Sequence, residues 1–170
     1  MVDVLILCTG NAARSVMAAT SLSARRPDLR VATGGTFVVD GQPMSIRTRA
    51  AIEGVGLAIP RHASRQVHPP DLDAATLVMA LAPEHVEWVR RTHTPAAPRT
   101  VTLRRLVEHL PPAPTLTEQV AALRPHAVEL EPWEEVVDPG GSEADVFAAC
   151  AREIDELVAE LAPRLAPPHP

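Results

Sequence analysis

Near the amino terminus, five residues separate a cysteine from an arginine in the segment Cys8-Thr-Gly-Asn-Ala-Ala-Arg14-Ser15. A short apolar run precedes this segment and a helical pattern follows it, which predicts a loop between a strand and a helix. Backbone N–H groups at a helix start lack partners within the helix and carry the positive end of its dipole, so they bind anions. The sequence therefore predicts a loop that holds a phosphate-like oxyanion against Cys8.

The side chains of this loop have separate predicted roles. Arg14 can place a bidentate guanidinium on two oxygens of the anion, and the field of the helix favours the thiolate form of Cys8. A thiolate beneath a bound phosphoryl group is positioned for in-line attack. Gly10 permits close approach of the backbone, Asn11 tolerates left-handed dihedral angles, and Ser15 can stabilise the thiolate as a leaving group. The predicted phosphate-binding loop comprises Thr9, Gly10, Asn11, Ala12, Ala13, Arg14 and Ser15.

A carboxylate far along the chain is the expected acid. Thiolate attack on a phosphoryl group needs an acid for the leaving group and then a base for the attacking water. Asp138 lies in a predicted loop just before the last helix, and Pro139 stiffens the chain after it. We expect Asp138 to serve both steps.

Apolar runs alternate with helical patterns along the chain. The expected strands are residues 2–7, 29–33, 75–80 and 99–101. The expected helices are residues 15–26, 45–55 and 83–91, one ending at 110, one at 118–123 and a long one opening at 142. This alternation predicts a parallel sheet covered on both faces, with ligands at the carboxyl ends of the strands. Cys8 stands at such an end.

Composition limits the class of protein. A chain of 170 residues fits one core, so we expect a single domain over residues 1–165 and a proline-rich tail over 166–170. A net charge of -5 argues against a nucleic-acid partner, and no apolar run is long enough for a membrane partner. The amino terminus lacks the features of a secretory signal, which predicts a cytoplasmic protein.

Cysteine and histidine usage argues against a metal or disulfide framework. Only two cysteines are present, Cys8 and Cys150, and Cys150 fits the apolar face of the last helix, where we expect it to pack in the core. The seven histidines show no ligand spacing and are expected at surface or loop positions.

Three motifs in order resemble those of the low-molecular-weight protein-tyrosine phosphatases. They are the Cys8 to Ser15 segment followed by Val-Met-Ala, Gly35-Thr36 ahead of Gly41-Gln-Pro43, and Asp138-Pro139 before a closing helix. The resemblance covers most of the chain, with an insertion around residues 111–132. It implies a three-layer α/β fold in which helices cover both faces of a four-stranded parallel sheet.

The same resemblance implies a mechanism. Cys8 would carry a cysteinyl-phosphate intermediate, Arg14 would bind phosphate, and Asp138 would act as acid and then base. The expected substrate is a phosphorylated protein or a small phosphomonoester, and neither a metal nor another cofactor is implied.

The sequence departs from the family pattern in the phosphate-binding loop and after Asp138-Pro139. Ala13 stands where the phosphatases usually have a second cysteine, which excludes a disulfide inside the loop. Gly140 and Gly141 stand where an aromatic residue usually flanks the substrate ring, and Phe37 is the candidate for the other wall.

Three functions are compatible with these features. The first is a phosphomonoester hydrolase, with protein phosphotyrosine as the expected substrate. The second is a single-cysteine arsenate reductase using a small thiol, because Cys-Thr-Gly-Asn and Met-Ala are also similar to thioredoxin-type arsenate reductases. The third is a non-catalytic phosphate-binding relative, which the missing aromatic wall favours. The presence of Asp138 and the absence of further cysteines favour the first.

Overall fold

A computed structural model describes residues 2–167, in which four parallel strands form one sheet in the order β2-β1-β3-β4. The strands are β1 Val2–Cys8, β2 Val31–Gly35, β3 Ala75–Ala80 and β4 Thr100–Thr102. The helices are α1 Arg14–Arg25, α2 Ile46–Gly54, α3 Pro69–Ala74, α4 Pro83–Thr92, α5 Leu103–His109, α6 Leu116–Ala122 and α7 Ala144–Leu161. Short 3₁₀ helices span Thr94–Arg99, Pro132–Glu134 and Ala162–Arg164. No helix within residues 2–167 has the length and apolar character needed to cross a membrane.

Helices cover both faces of the sheet, which confirms the predicted three-layer α/β fold. Along β1, Val4, Ile6 and Cys8 pack with buried residues of α1, α2 and α7, whereas Leu5 and Leu7 pack with residues of α3 and α4 on the other face. This alternation is the period of two expected of a strand buried on both sides. The side chain of Cys8 therefore belongs to the layer formed by α1 and α7.

Most predicted elements are present, with ends displaced by one or two residues. β2 begins at Val31 and not at Leu29, its expected start. The N–H of Leu29 donates to Arg26 O at 3.1 Å and closes a turn ahead of the strand. α7 begins at Ala144 because Ser142 N–H donates to Pro139 O at 3.0 Å and closes a turn first. α3 was not predicted, since six residues opened by two prolines carry too little helical periodicity to detect.

The expected insertion packs against the end of the chain. Thr115 and Glu118 form a capping box at the start of α6. The helix therefore begins at Leu116, two residues before its predicted start. Gln119 is buried, donates to Arg164 O at 2.8 Å and accepts from Ala166 N–H at 2.8 Å. The first residues of the predicted tail are thus bound to this segment, and residues 168–170 lie outside the described residues.

A buried carboxylate anchors the chain just ahead of Asp138. Glu134 has no exposed surface and accepts hydrogen bonds from Arg105, from the Thr102 hydroxyl and from Glu131 N–H. Burial alone would raise the pKa of Glu134, but these three donors outweigh it and hold the pKa below its usual range.

The residues after Glu134 join the edge of the sheet where β3 ends. Val136 N–H donates to Leu81 O at 2.8 Å, and Val136 is fully buried. The anchored chain therefore brings Asp138 to the carboxyl ends of the strands, the edge predicted to hold the ligand.

Replacing Glu134 with glutamine should lower the free energy of unfolding by about 3 kcal/mol, because the change leaves the Arg105 charge without its partner in a largely buried site. Denaturant unfolding measures this loss. Glu135→Gln, an exposed neighbour, is the matched control and should leave the midpoint unchanged. Equal midpoints for the two variants would show that the carboxylate does not hold this segment.

Candidate active site

The loop between β1 and α1 turns its carbonyl groups outward. The N–H groups of residues 36 and 37 donate to the carbonyl oxygens of Cys8 and Thr9, each at 3.0 Å, and the Thr48 hydroxyl donates to Ala12 O at 3.2 Å. In a trans peptide the N–H points opposite to the carbonyl. These contacts therefore turn the loop N–H groups inward, as anion binding requires.

Asn11 fixes the conformation of the loop. It is fully buried and left-handed, with φ of 49°, a conformation that asparagine adopts more readily than most residues. Its carbonyl accepts from Ser64 Oγ at 3.0 Å and lies 2.6 Å from His62 Nε2. Its side-chain oxygen accepts from Arg65 N–H at 3.0 Å, which leaves the amide nitrogen to donate to Ser15 Oγ at 3.0 Å.

The hydroxyl of Ser15 is directed at the cysteine. The Asn11 amide nitrogen can only donate, so Ser15 Oγ accepts from it, and the same hydroxyl lies 3.1 Å from Cys8 Sγ, a contact in which either atom can supply the hydrogen. When Cys8 is a thiolate, which has no hydrogen of its own, the Ser15 hydroxyl is the donor in this contact. The predicted contact between these two side chains is present.

Arg14 is buried, and both of its terminal nitrogens donate hydrogen bonds. Only 2 % of the residue is exposed, and Nη1 donates to Val136 O at 3.0 Å. Nη2 donates to Asp138 Oδ2 at 2.8 Å and to Thr9 Oγ1 at 3.4 Å. The Asp138 side chain is half exposed, so the ion pair lies at the boundary between the protein and solvent.

These groups meet at one pocket of about 250 Å³. Its lining combines residues of the predicted loop with Asp138, as well as Ser45, Thr48 and Phe147, which the sequence did not indicate. Ser15 lies behind Cys8 and the Thr9 side chain turns away from the pocket. Phe37 is 83 % exposed and lies outside the lining, so its role as a substrate wall stays a prediction.

His85 corrects the expectation that the histidines lie on the surface or in loops. It is 1 % exposed in the first turn of α4, and its Nε2 lies 3.0 Å from Thr9 Oγ1. Burial, followed by the charge of Arg14, lowers the pKa of His85 to about 3 against the opposing effect of Asp138. His85 is therefore neutral at physiological pH.

Cys150 lies on the buried face of α7 and packs in the hydrophobic core, as predicted. Its thiol lies 3.8 Å from Val137 O, and it does not line the pocket. Burial, followed by the charge of Glu153, raises the pKa of Cys150 to about 12. It therefore stays a thiol at neutral pH and is a poor nucleophile.

The donor set of the pocket suits an oxyanion. Across residues 2–167 no three histidine, cysteine or acidic side chains cluster closely enough to hold a metal ion. The pocket instead combines inward N–H groups, a guanidinium and a thiol, with a carboxylate at its edge. Such a set binds a tetrahedral anion and places sulfur beneath it.

Comparisons with known proteins agree with this geometry. A family model described as low molecular weight phosphotyrosine protein phosphatase matches residues 3–168. A protein-arginine-phosphatase of Geobacillus stearothermophilus is 26% identical over 163 residues, which are 95% of each chain.

Solved structures agree as well. The YwlE arginine phosphatase from Geobacillus stearothermophilus superposes with a TM-score of 0.76 at 25% identity, covering 96% of this chain and 92% of that one. A low molecular weight protein tyrosine phosphatase from T. tengcongensis shares the fold with a TM-score of 0.75 at 24% identity, covering 97% and 100% of the two chains.

Iodoacetamide at neutral pH should alkylate Cys8 and spare Cys150, because Cys8 lines the pocket beside the Ser15 hydroxyl, whereas Cys150 is a buried thiol. Peptide mass spectrometry locates the modified residue. Phosphate should slow the reaction, Cys150→Ser should leave it unchanged and Cys8→Ser should abolish it. Comparable labelling of both cysteines would contradict the assignment of Cys8 as the reactive group.

Proposed function

Since the chain belongs to the low molecular weight phosphotyrosine protein phosphatase family, we propose that it dephosphorylates protein side chains through a cysteinyl-phosphate intermediate on Cys8. The observation that carries this proposal is the convergence of Cys8, Arg14 and Asp138 on one pocket. Protein phosphotyrosine is the first candidate substrate.

In the first proposed step the Cys8 thiolate attacks phosphorus in line with the leaving group. A sulfur–phosphorus bond forms as the bond from phosphorus to the leaving atom breaks, and Asp138 gives its proton to that atom. Arg14 and the inward N–H groups bind the equatorial oxygens, where charge must be held in the transition state.

In the second proposed step water releases the phosphate. Asp138, now ionised, takes a proton from a water molecule whose oxygen attacks phosphorus, and the sulfur–phosphorus bond breaks. The Ser15 hydroxyl, 3.1 Å from sulfur, stabilises the departing Cys8 thiolate. Inorganic phosphate leaves and the enzyme returns to its starting state.

The position of Asp138 suggests how the substrate enters. Its carboxylate accepts a hydrogen bond from Arg14 Nη2, an atom that the phosphoryl group needs. The anion would replace the carboxylate there, and the freed Asp138 would stay at the mouth of the pocket, on the side from which the leaving group departs.

We also propose a cytoplasmic location. Cys8 and Cys150 are both free, and a cysteine nucleophile needs a compartment that keeps thiols reduced.

Hydrolysis of p-nitrophenyl phosphate tests the proposal. Cys8→Ser should abolish turnover, and Asp138→Asn should reduce kcat by about two or more orders of magnitude, the scale of a general acid. Asp145→Asn, an exposed carboxylate in the first turn of α7, is the matched control and should retain activity.

Rapid quenching of Asp138→Asn should trap the intermediate, seen as one added phosphoryl group on the peptide containing Cys8. Arsenate reduction that depends on added thiol and ignores the loss of Asp138 would favour the reductase. Phosphate binding without turnover in the wild type would favour the non-catalytic relative.

A second candidate substrate is protein phosphoarginine. The relatives described as arginine phosphatases suggest it, and so does the missing aromatic wall at Gly140, since the slender arginine side chain has no ring to flank. Asp138 would then protonate the guanidino nitrogen that leaves phosphorus.

Peptides of one sequence carrying either phosphotyrosine or phosphoarginine separate the two candidates by their ratio of kcat/KM. Gly140→Tyr, which restores an aromatic residue, should shift this ratio toward phosphotyrosine. The ratio is the right measure because a Cβ at Gly140 would lie 3.2 Å from Asp138 Oδ1, and any displacement of the acid affects both substrates. An unchanged ratio would show that this wall does not select the substrate.

A further inference from the structure

The two ring nitrogens of His85 have different surroundings, which is unusual for a buried histidine. Its Nε2 lies 3.0 Å from Thr9 Oγ1 in the phosphate-binding loop, whereas its buried Nδ1 has no hydrogen-bond partner among the described residues. A buried polar atom without a partner costs stability. Core packing alone does not explain why a histidine stands here.

The surroundings of Nε2 assign the tautomer. Besides Thr9 Oγ1, this nitrogen lies 3.3 Å from a carboxylate oxygen of Glu84. A bare ring nitrogen would present its lone pair to that negative oxygen, so the proton is on Nε2 and the orphaned Nδ1 is the bare acceptor. His85 therefore donates toward Thr9.

All the hydrogen-bonding capacity of the Thr9 hydroxyl is then used. It accepts from His85 Nε2–H at 3.0 Å and from Arg14 Nη2 at 3.4 Å, and it donates to Glu84 at 3.3 Å. A hydroxyl has one hydrogen and two lone pairs, so this arrangement fixes its rotation. The oxygen lone pair that faces Arg14 is held in place.

We propose that His85 is a positioning residue that acts through Thr9 to keep the Arg14 guanidinium oriented for phosphate. This inference rests on the proposed function. Nη2 is shared between Asp138, at 2.8 Å, and Thr9, at 3.4 Å.

The need for this support arises when the substrate enters. Once Asp138 turns to the leaving group, Val136 O and Thr9 Oγ1 remain the protein partners of the guanidinium among the described residues. Without the His85 donor, only the 3.3 Å bond to the exposed Glu84 carboxylate would orient the Thr9 hydroxyl, and its hydrogen would face Nη2 part of the time and repel it. His85 prevents this, and because burial keeps its ring neutral it adds no second positive charge beside Arg14.

Three substitutions at His85 test the proposal with p-nitrophenyl phosphate as substrate and vanadate as inhibitor. His85→Leu removes the donor and should lower kcat/KM and weaken vanadate inhibition by about tenfold each, the value of one hydrogen bond. His85→Gln places an amide N–H near the position of Nε2 and should remain within about threefold of the wild type. His85→Asn places its amide near Nδ1 and should behave like His85→Leu.

Separate measurement of KM and kcat distinguishes a misdirected Arg14 from a loss of folded protein. Partly unfolded protein lowers kcat through the active fraction and leaves KM and the vanadate inhibition constant unchanged, whereas a misdirected Arg14 changes both binding constants. Thermal unfolding of His85→Leu should show no loss of stability, since the substitution removes an unsatisfied buried nitrogen. His93→Leu, which removes a histidine–Asp73 contact outside the pocket, is the control and should leave activity unchanged.

Wild-type KM and vanadate inhibition in His85→Leu, or equal behaviour of the glutamine and asparagine variants, would overturn the proposal. If His85→Leu does not fold, the comparison of glutamine with asparagine still decides. If the wild type hydrolyses no phosphomonoester, the proposed function fails. Calorimetric titration then still measures the vanadate affinity of each variant, which the orientation of Arg14 determines under this proposal.

Discussion

A guanidinium that is almost completely shielded from water must have its charge and its N–H donors met by the protein, and Arg14 imposes this requirement on two distant parts of the chain. Nη1 needs the carbonyl of Val136 and Nη2 needs Thr9 and Asp138. The segment ahead of α7 must therefore lie at the end of β1. The buried Glu134 contacts and the bond from Val136 to Leu81 hold it there, so structure far from the pocket determines which way Arg14 points.

Within the loop, each hydrogen bond determines which atom is the donor in the next one. Arg65 N–H fixes which atom of the Asn11 amide is the acceptor, and the remaining Asn11 nitrogen fixes Ser15 Oγ as an acceptor. The Ser15 hydrogen can then be donated to Cys8 when Cys8 is a thiolate. Neither Asn11 nor Ser15 can reverse its role in the bond that joins them without leaving a buried neighbour unsatisfied. The loop is thus organised for an anion and a thiolate before any ligand arrives, which limits the cost of ordering it on binding.

The features that the sequence predicted are those set by local chemistry. The strands and the loop from Cys8 to Ser15 follow from apolar runs ended by glycine and from a helix start, and Asp138 stands out because of the proline after it. These signals need no knowledge of the fold.

The features that the sequence did not reveal depend on packing between distant elements. Nothing near His85 distinguishes it from a surface histidine, because its burial arises only when α4 begins beside the loop after β1. Ser45, Thr48 and Phe147 reach the pocket because α2 packs against α7, a contact that neither helix encodes alone. A periodic pattern identifies the apolar face of a helix but not the neighbour that covers it.

The unequal exposure of Arg14 and Asp138 gives the proposed mechanism its energetic basis. An ion pair with a half-exposed partner contributes about 1 kcal/mol or less, because water solvates the carboxylate once it is released. A phosphoryl group on the same guanidinium gains charged hydrogen bonds of about 1.5–3 kcal/mol each, together with the loop N–H groups. Exchange of Asp138 for substrate is therefore favourable, while the buried contacts of Arg14 to Val136 and Thr9 stay in place. Asp138 can then balance the charge of Arg14 as a carboxylate and, after taking a proton from solvent on its release, give that proton to the leaving group.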